Sequence, residues 1–294
     1  MPELPDIVVY VESLTERIGG QRLERLNVLN PFVLRSVNPP LAAVEGQAVS
    51  GIRRLGKRIV LCFDAELFLV LHLMIAGRLR WRERGRKPGL GGKILLASLE
   101  FPEGTLLFTE ASSTKRASMQ LIQGEAALAA LDPGGIEPLE ASLATFRERL
   151  ISRNHTIKRA LTDPHLVSGI GNAYSDEILH AAQLSPMKLT QSMTDDEYAR
   201  LHAATRRTLQ LWIGRLRAET TGFPEKVTAF HVQMAVHGRY RQPCPACGAP
   251  VQRIVYAENE CNYCPRCQTG GRLLADRSLS RLLKSDWPKS LDEL

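Results

Sequence analysis

No stretch of this chain stays apolar for the roughly 20 residues that a membrane span requires. The longest candidate, IVLCFDAELFLVLHLMIAG, is broken by Asp64 and Glu66. The opening MPELPDIVVYVESL has acids where a secretory leader carries basic residues, so no signal peptide is expected. Internal repeats and low-complexity tracts are missing, which argues against solenoids and disordered linkers. Outside one short region cysteine is nearly absent. Cys62 stands alone in an apolar run and reads as a buried thiol. The expectation is a cytoplasmic protein with no membrane partner.

The 294 residues suffice for two ordinary domains, and a hydrophobic share of 44% supports a packed core. The formal charge is +7. Basic residues gather in RRLGKR (53–58), RLRWRERGRK (78–87), Lys158–Arg159 and RRTLQLWIGRLR (206–217). Such a surface attracts phosphate polyanions by releasing their counterions, although solvated arginine faces would look the same.

Apolar residues at Ile7, Tyr10, Val11, Leu14 and Ile18 have helical spacing, with Pro5–Asp6 as a start and Gly19–Gly20 as a stop. Short apolar or alternating runs follow to about residue 124 (RLERLNVL, RIVLCF, LFLVLHL, KILLASLEF, TLLFTE), and predict a sandwich or barrel. The Pro- and Gly-rich DPGGIEPLEAS (132–142) marks a break. Helical periods come next in SLATFRERLIS, TIKRALTD, AYSDEILHAAQL and the long TDDEYARLHAATRRTLQLWIGRLRAE.

The other five cysteines crowd into 244–267, and in a cytoplasmic protein crowding favours metal over disulfides. Cys244-x2-Cys247 and Cys264-x2-Cys267 are separated by 16 residues (248–263). That is the pattern of a structural four-thiolate zinc site, with VQRIVYAENECNY as a hairpin between the knuckles. Cys261 could compete for metal, but Cys264 and Cys267 make the better knuckle. Upstream, Gly169 and Gly171 in LVSGIGNAYSDEIL permit a sharp turn whose free N–H groups could face a phosphate. Local pattern alone favours a simple tight helix–helix turn.

PELPD, RRLGKR, HLMIAGRL, LVSGIGNAYSDEIL and the four-cysteine finger occur in this order. Together they closely resemble the formamidopyrimidine-DNA glycosylase/endonuclease VIII family of base-excision repair enzymes, over nearly the whole chain to about residue 270. The resemblance implies an α+β multidomain fold: an N-terminal helix plus β-sandwich (1–131), a helix–two-turn–helix domain (132–222) and a zinc finger (235–270), followed by an extension (271–294). It implies a DNA glycosylase with AP lyase activity that removes oxidised or ring-opened bases from damaged DNA as a monomer, nucleoid-associated in a bacterium, with one structural Zn2+.

By the same resemblance, loss of Met1 exposes Pro2 as the nucleophile, Glu3 is the proton shuttle and Lys57 holds a phosphate near the lesion. His72, Arg116 and Asn172 match phosphate contacts, Glu177 an acid near the extruded nucleotide, and Met74 the side chain pushed into the vacated gap. A secondary amine suits this role, because attack on the sugar C1′ gives an iminium directly and a terminal amine titrates near pH 8. Glu3 beside a helix start would also be ordinary helix electrostatics.

Three departures from the family pattern stand out. Asn259 occupies the usual finger arginine position, so the phosphate clamp is expected to be weaker or to be supplied elsewhere, with Arg253, Arg266 and Arg272 the candidates around the finger. In SSTKRAS, Lys115 and Ala117 stand where the family has an arginine and a wedge phenylalanine, which predicts relaxed opposite-base selectivity. The chain also continues past Cys267 through DRSLSRLLKSDWPKSL, expected to form a short amphipathic helix. A catalytically silent damage-binding protein on the same fold is the alternative; an RNA-binding module would leave PELPD unexplained.

Overall fold

The computed structural model describes the chain except residues 86–88, 90–92, 226, 229, 257–258, 276–281, 283–287 and 294. It divides into two compact units: 1–133 with 212–228, and 134–211 with 229–294. Most of the extension expected to be an amphipathic helix lies outside the described residues.

The first unit opens with helix α1 (Leu4–Ile18), whose start is set by a capping box. The main-chain N–H of Glu3 donates to Asp6 Oδ2 at 2.8 Å, and the Glu3 side chain accepts from the Asp6 main chain. Two orphan donors of the first turn are thereby satisfied. Ile7, Tyr10, Leu14 and Ile18 form the buried stripe that the spacing predicts.

Two four-stranded antiparallel sheets follow. One has the order β1 (Arg25–Val28), β6 (Leu95–Phe101), β7 (Gly104–Glu110), β5 (Gly77–Glu83). The other runs β2 (Gly51–Leu55), β3 (Arg58–Phe63), β4 (Leu67–His72), β8 (Ser118–Gln123). Alternate residues of β3 and β4 (Ile59, Leu61, Leu69, Leu71) join α1 and the first sheet in the main core. Their neighbours Val60, Cys62, Phe68 and Val70 pack with Leu128 of the short helix α2 (Glu125–Ala129). Burial of both faces explains why these strands read as unbroken apolar runs, and places the Cys62 thiol in the second cluster.

The second unit holds α3 (Leu143–Ile151), α4 (Ile157–Thr162), α5 (Asn172–Ala181), most of α6 (Asp195–Glu219), a hairpin of β9 (Gln252–Tyr256) and β10 (Asn259–Tyr263), and α7 (Pro265–Thr269). The last residues of α6, from Trp212, belong to the first unit. There Arg217 pairs with Glu12 of α1 through Nε at 2.8 Å and Nη2 at 2.5 Å.

Part of the basic charge is spent inside the first unit. Arg78, Arg80 and Arg82 are the outward residues of β5, alternating with buried Leu79 and Trp81. Arg78 Nε donates to Val227 O at 2.7 Å, and Arg82 pairs with Glu225 at 2.5 Å. Arg53 pairs with Glu125 and Arg58 donates to Leu131 O. These arginines hold the chain together rather than forming the open basic patch that composition suggests. Arg86 and Lys87 lie outside the described residues.

Candidate nucleic-acid interface and metal centre

The N-terminal residues are tucked in. Pro2 is buried, and Glu3 and Asp6 are 3% and 4% exposed. The terminal amine, here on Met1, is pushed below its usual value chiefly by burial; Glu3 opposes that shift, while Arg78 and Lys57 reinforce it. Groups as far apart in sequence as the terminus, Lys57 and Arg78 thus share one electrostatic neighbourhood. Lys57 reaches it from the two-residue turn between β2 and β3, where Gly56 has φ +60°. Pairing of Leu55 with Arg58 sets that turn's place.

Arg78 and Asp6 are members of this cluster that sequence reasoning missed. Arg78 is fixed by donating to Ile75 O at 3.1 Å and Gly77 O at 2.6 Å. Burial pushes the Asp6 carboxyl up to about 7. Its Oδ1 has no hydrogen-bond partner and Asp6 lines a cavity of about 540 Å³ with Arg17, Trp81 and Phe223. No sequence signal beyond its place in PELPD marks Asp6.

The raised Asp6 pKa carries a stability consequence. Unfolded, the group titrates near 3.9. Between about pH 4 and 7 the native state keeps a proton that the unfolded chain has released, so stability falls as pH rises through that window. Asp6→Asn cannot titrate. Its stability relative to the parent, both retaining Met1, is expected to rise by roughly 2–3 kcal/mol from pH 5 to pH 8. Urea unfolding at the two pH values measures this; a difference independent of pH contradicts the buried-acid assignment.

His72 ends β4, half-buried, with its pKa lowered to about 4 by burial and by Arg58 and Lys57. It is neutral at physiological pH and offers a hydrogen bond, not a charge. The turn after it closes when Gly77 N donates to Leu73 O at 2.8 Å. A Cβ at Gly77 would lie 2.2 Å from that oxygen, so only glycine fits. Within the turn Met74 takes a left-handed φ of +52° and is half-buried, whereas Ile75 is 55% exposed. The projecting apolar side chain is therefore Ile75, one residue beyond the one the motif suggested.

Lys115 turns back to donate through Nζ to the Glu110 carbonyl oxygen. The buried Glu110 carboxylate accepts from Arg116 N at 3.0 Å and Ala117 N at 3.1 Å. Arg116 is left exposed, and Ala117 is only 2% exposed, in the main core.

In the second unit Gly169, with φ +76°, makes the turn before α5. The Asn172 side chain donates through Nδ2 to Glu260 O at 2.7 Å, tying the turn to the hairpin. Both oxygens of Glu177 are taken by main-chain N–H groups: Ala235 at 2.7 Å, Val236 at 2.9 Å and His237 at 3.0 Å. This carboxylate anchors the segment before the finger. Sequence reasoning also missed Asp176. It is fully buried and accepts from Lys158 Nζ at 2.5 Å and Asn262 N at 3.1 Å, with His237 Nδ1 at 2.8 Å.

Cys244, Cys247, Cys264 and Cys267 converge, with all four sulfurs within 4.8 Å of one another. Two of the separations are 3.9 Å (Cys244–Cys267) and 3.4 Å (Cys247–Cys264). A tetrahedral ion with metal–sulfur bonds of about 2.3 Å needs sulfurs about 3.8 Å apart, so the set fits a closed four-thiolate site. His180 of α5 stands with Nε2 3.3 Å from Cys244 Sγ. Cys261 is outside the group. It is buried beside Ile254 and Tyr263, where burial and the nearby Asp176 keep its thiol protonated.

Residues 1–116 match the formamidopyrimidine-DNA glycosylase N-terminal domain, and residues 135–222 match the H2TH domain of the same enzymes. The formamidopyrimidine-DNA glycosylase of Chloroflexus aurantiacus is 32% identical over 277 residues, covering 91% of this chain and 98% of the relative. The chain belongs to the formamidopyrimidine-DNA glycosylase family. Another member, the Heliobacterium modesticaldum formamidopyrimidine-DNA glycosylase, is 32% identical over 284 residues and covers 91% of this chain and all of the relative. Among solved structures, Lactococcus lactis Fpg in complex with DNA containing an abasic site aligns at a TM-score of 0.79 and 26% identity, covering 91% of this chain and 99% of the other. MutM in complex with DNA containing carbocyclic 8-oxo-G aligns at 0.80 and 26%, covering 91% and 100%. The α+β multidomain expectation from sequence, with sandwich, two-turn helix pair and four-cysteine finger, is the family's architecture. Among the described residues no helix is long and apolar enough to cross a membrane.

Proposed function

We propose that the chain is a base-excision DNA glycosylase with AP lyase activity, acting on oxidised or ring-opened bases in damaged DNA. The observation that carries this reading is that Glu3, Asp6, Lys57 and Arg78 all act electrostatically on the buried N terminus, in a chain that belongs to a family of DNA glycosylases. Loss of Met1 makes Pro2 N the terminal amine, close to the cations that depress the present one. Its lone pair attacks C1′, the glycosidic bond breaks, and the departing base takes the bonding electrons. The attacking nitrogen sheds its proton to Glu3, which protonates the ring oxygen as the nitrogen lone pair expels it and the C1′–O4′ bond breaks, giving the open-chain iminium. Withdrawal of a C2′ proton then expels the 3′ phosphate, and a second elimination cuts the 5′ side.

Residues 1–131 supply this chemistry in the proposed division of labour, while 132–222 and 235–270 grip DNA and 271–294 extend the finger. Lys57, neutral His72 and Arg116 hold phosphates flanking the lesion, with Asn172 and the N–H groups of its turn. The cavity over Asp6 has room for an extruded base. Ile75, next to the half-buried Met74 in sequence, fills the gap. Lys115 lacks the reach of a stacked arginine in this arrangement, and Ala117 cannot wedge at all. Zinc is the ion proposed for the four thiolates, the protein acts as a monomer, and its substrate places it with the nucleoid. The silent-binder alternative gains no support, since Pro2, Glu3 and Lys57 are all present and the relatives are named as glycosylases.

The test is release of free base from a panel of duplexes carrying single oxidised purines or pyrimidines, using protein freed of Met1. Release is expected from at least one lesion and not from undamaged DNA. Ile75→Ala should slow it by about tenfold, the worth of burying one aliphatic side chain. Silence across the panel overturns the reading, and equal rates for Ile75→Ala overturn the wedge.

A further inference from the structure

The finger lacks an arginine at Asn259, which leaves open how it holds DNA. Arg266 donates to Cys247 O at 3.2 Å, and Arg272 and Arg266 line a recess with Gly271 and Lys289. Arg253 is placed differently. It projects from β9 with its side chain 44% exposed, and its guanidinium lies 4.4 Å from the centre of the Tyr240 ring. Arg241 lies 5.2 Å from the same ring, so two cations share one aromatic platform.

Arg253 Nη1 is 3.2 Å from Glu260 Oε2. The main-chain oxygen of that same Glu260 accepts the Asn172 amide at 2.7 Å, and its Oε1 accepts Asn262 Nδ2 at 3.2 Å. One residue therefore separates Arg253 from the glycine turn at the start of α5. A partly exposed pair such as Arg253–Glu260 contributes little to stability. A phosphate offers the guanidinium a bidentate partner, and stacking on Tyr240 reduces the freedom Arg253 would lose in binding.

We propose that Arg253, stacked on Tyr240, is the finger's phosphate contact, and that Glu260 holds it in the free protein and yields it when DNA arrives. The proposal rests on the DNA-binding reading above. It makes Glu260 an internal competitor whose removal tightens binding, an effect opposite in sign to loss of Arg253.

The experiment measures affinity for a duplex containing a tetrahydrofuran abasic analogue between 50 and 200 mM salt, with metal content and thermal melting checked for each full-length variant. Each phosphate neutralised contributes a slope of about 0.9 in log affinity against log salt. Arg253→Ala should lower the slope by about that amount, and Arg253→Lys should retain it. Glu260→Gln should bind several-fold more tightly, and adding Arg253→Ala to it should erase the gain. A parent slope matched by Arg253→Ala, or a Glu260→Gln variant no tighter than the parent, overturns the proposal. A parent that fails to bind the duplex at all overturns the DNA-binding reading instead.

Discussion

Borohydride added to the protein freed of Met1, together with an abasic-site duplex, is expected to capture a covalent protein–DNA adduct. The same chain retaining Met1 should capture none. The contrast is large because it depends on which amine is neutral and secondary. At pH 7.4 a terminal amine near pKa 8 is about one-fifth neutral, whereas a lysine near 10.4 is neutral in about one molecule in a thousand. In the chain that retains Met1, burial lowers the terminal amine from its usual value, with Glu3 opposing the shift and Arg78 and Lys57 reinforcing it. Pro2→Gly keeps a terminal amine but makes it primary, so the carbinolamine must lose an N-bound proton before a neutral imine forms; capture is expected to slow rather than stop. Mass spectrometry of the adduct locates the link. Undiminished capture by the Met1-retaining chain would move the chemistry to another amine, with Lys57 the first suspect, and would remove Pro2 from the mechanism.

What could be read in advance was local. Helix α1 carries its own start, stripe and stop, so its bounds are legible in 15 residues. The knuckles are legible because two cysteines three apart on a tight turn constrain themselves. Strands β2, β5 and β8 were harder. In β5 the alternation of Leu79 and Trp81 with three arginines is a clear period of two, but the arginines also read as a basic patch. Only tertiary placement of Glu225 and Val227 separates the readings. The same limit applies at the site. Asp6 resembles any helix-start acid until its burial is known. The exposures of Met74 and Ile75 depend on a left-handed residue that no motif announces. Glu177 looks like a site acid until three main-chain N–H groups from 235–237 claim it.

Replacing one ligand, as in Cys264→Ser, is expected to abolish metal binding and unfold the finger while the sandwich of the first unit stays folded. Elemental analysis of the parent should find one zinc per chain; iron, or less than a half-equivalent of zinc, contradicts the proposed ion. The effect is large because the apolar clusters of the finger are small. Among the described residues they are Val236, Ala249 and Val251 with the buried cysteines Cys244 and Cys264, and Ile254, Cys261 and Tyr263 with Leu274. Structural four-ligand sites contribute apparent free energies of about 10–16 kcal/mol in isolated fingers, more than such clusters can replace. The consequence reaches DNA through two connections within the second unit. Asn172 is bonded to the hairpin at Glu260, and Asp176 ties α5 to Asn262 and His237. Loss of the finger therefore releases the Asn172 side chain and leaves the buried Asp176 carboxylate without two of its partners. Nonspecific affinity and its salt slope should fall together. Circular dichroism should still report the antiparallel sheets of residues 1–133. Retention of full DNA affinity by a metal-free Cys264→Ser protein would show that the finger does not grip DNA.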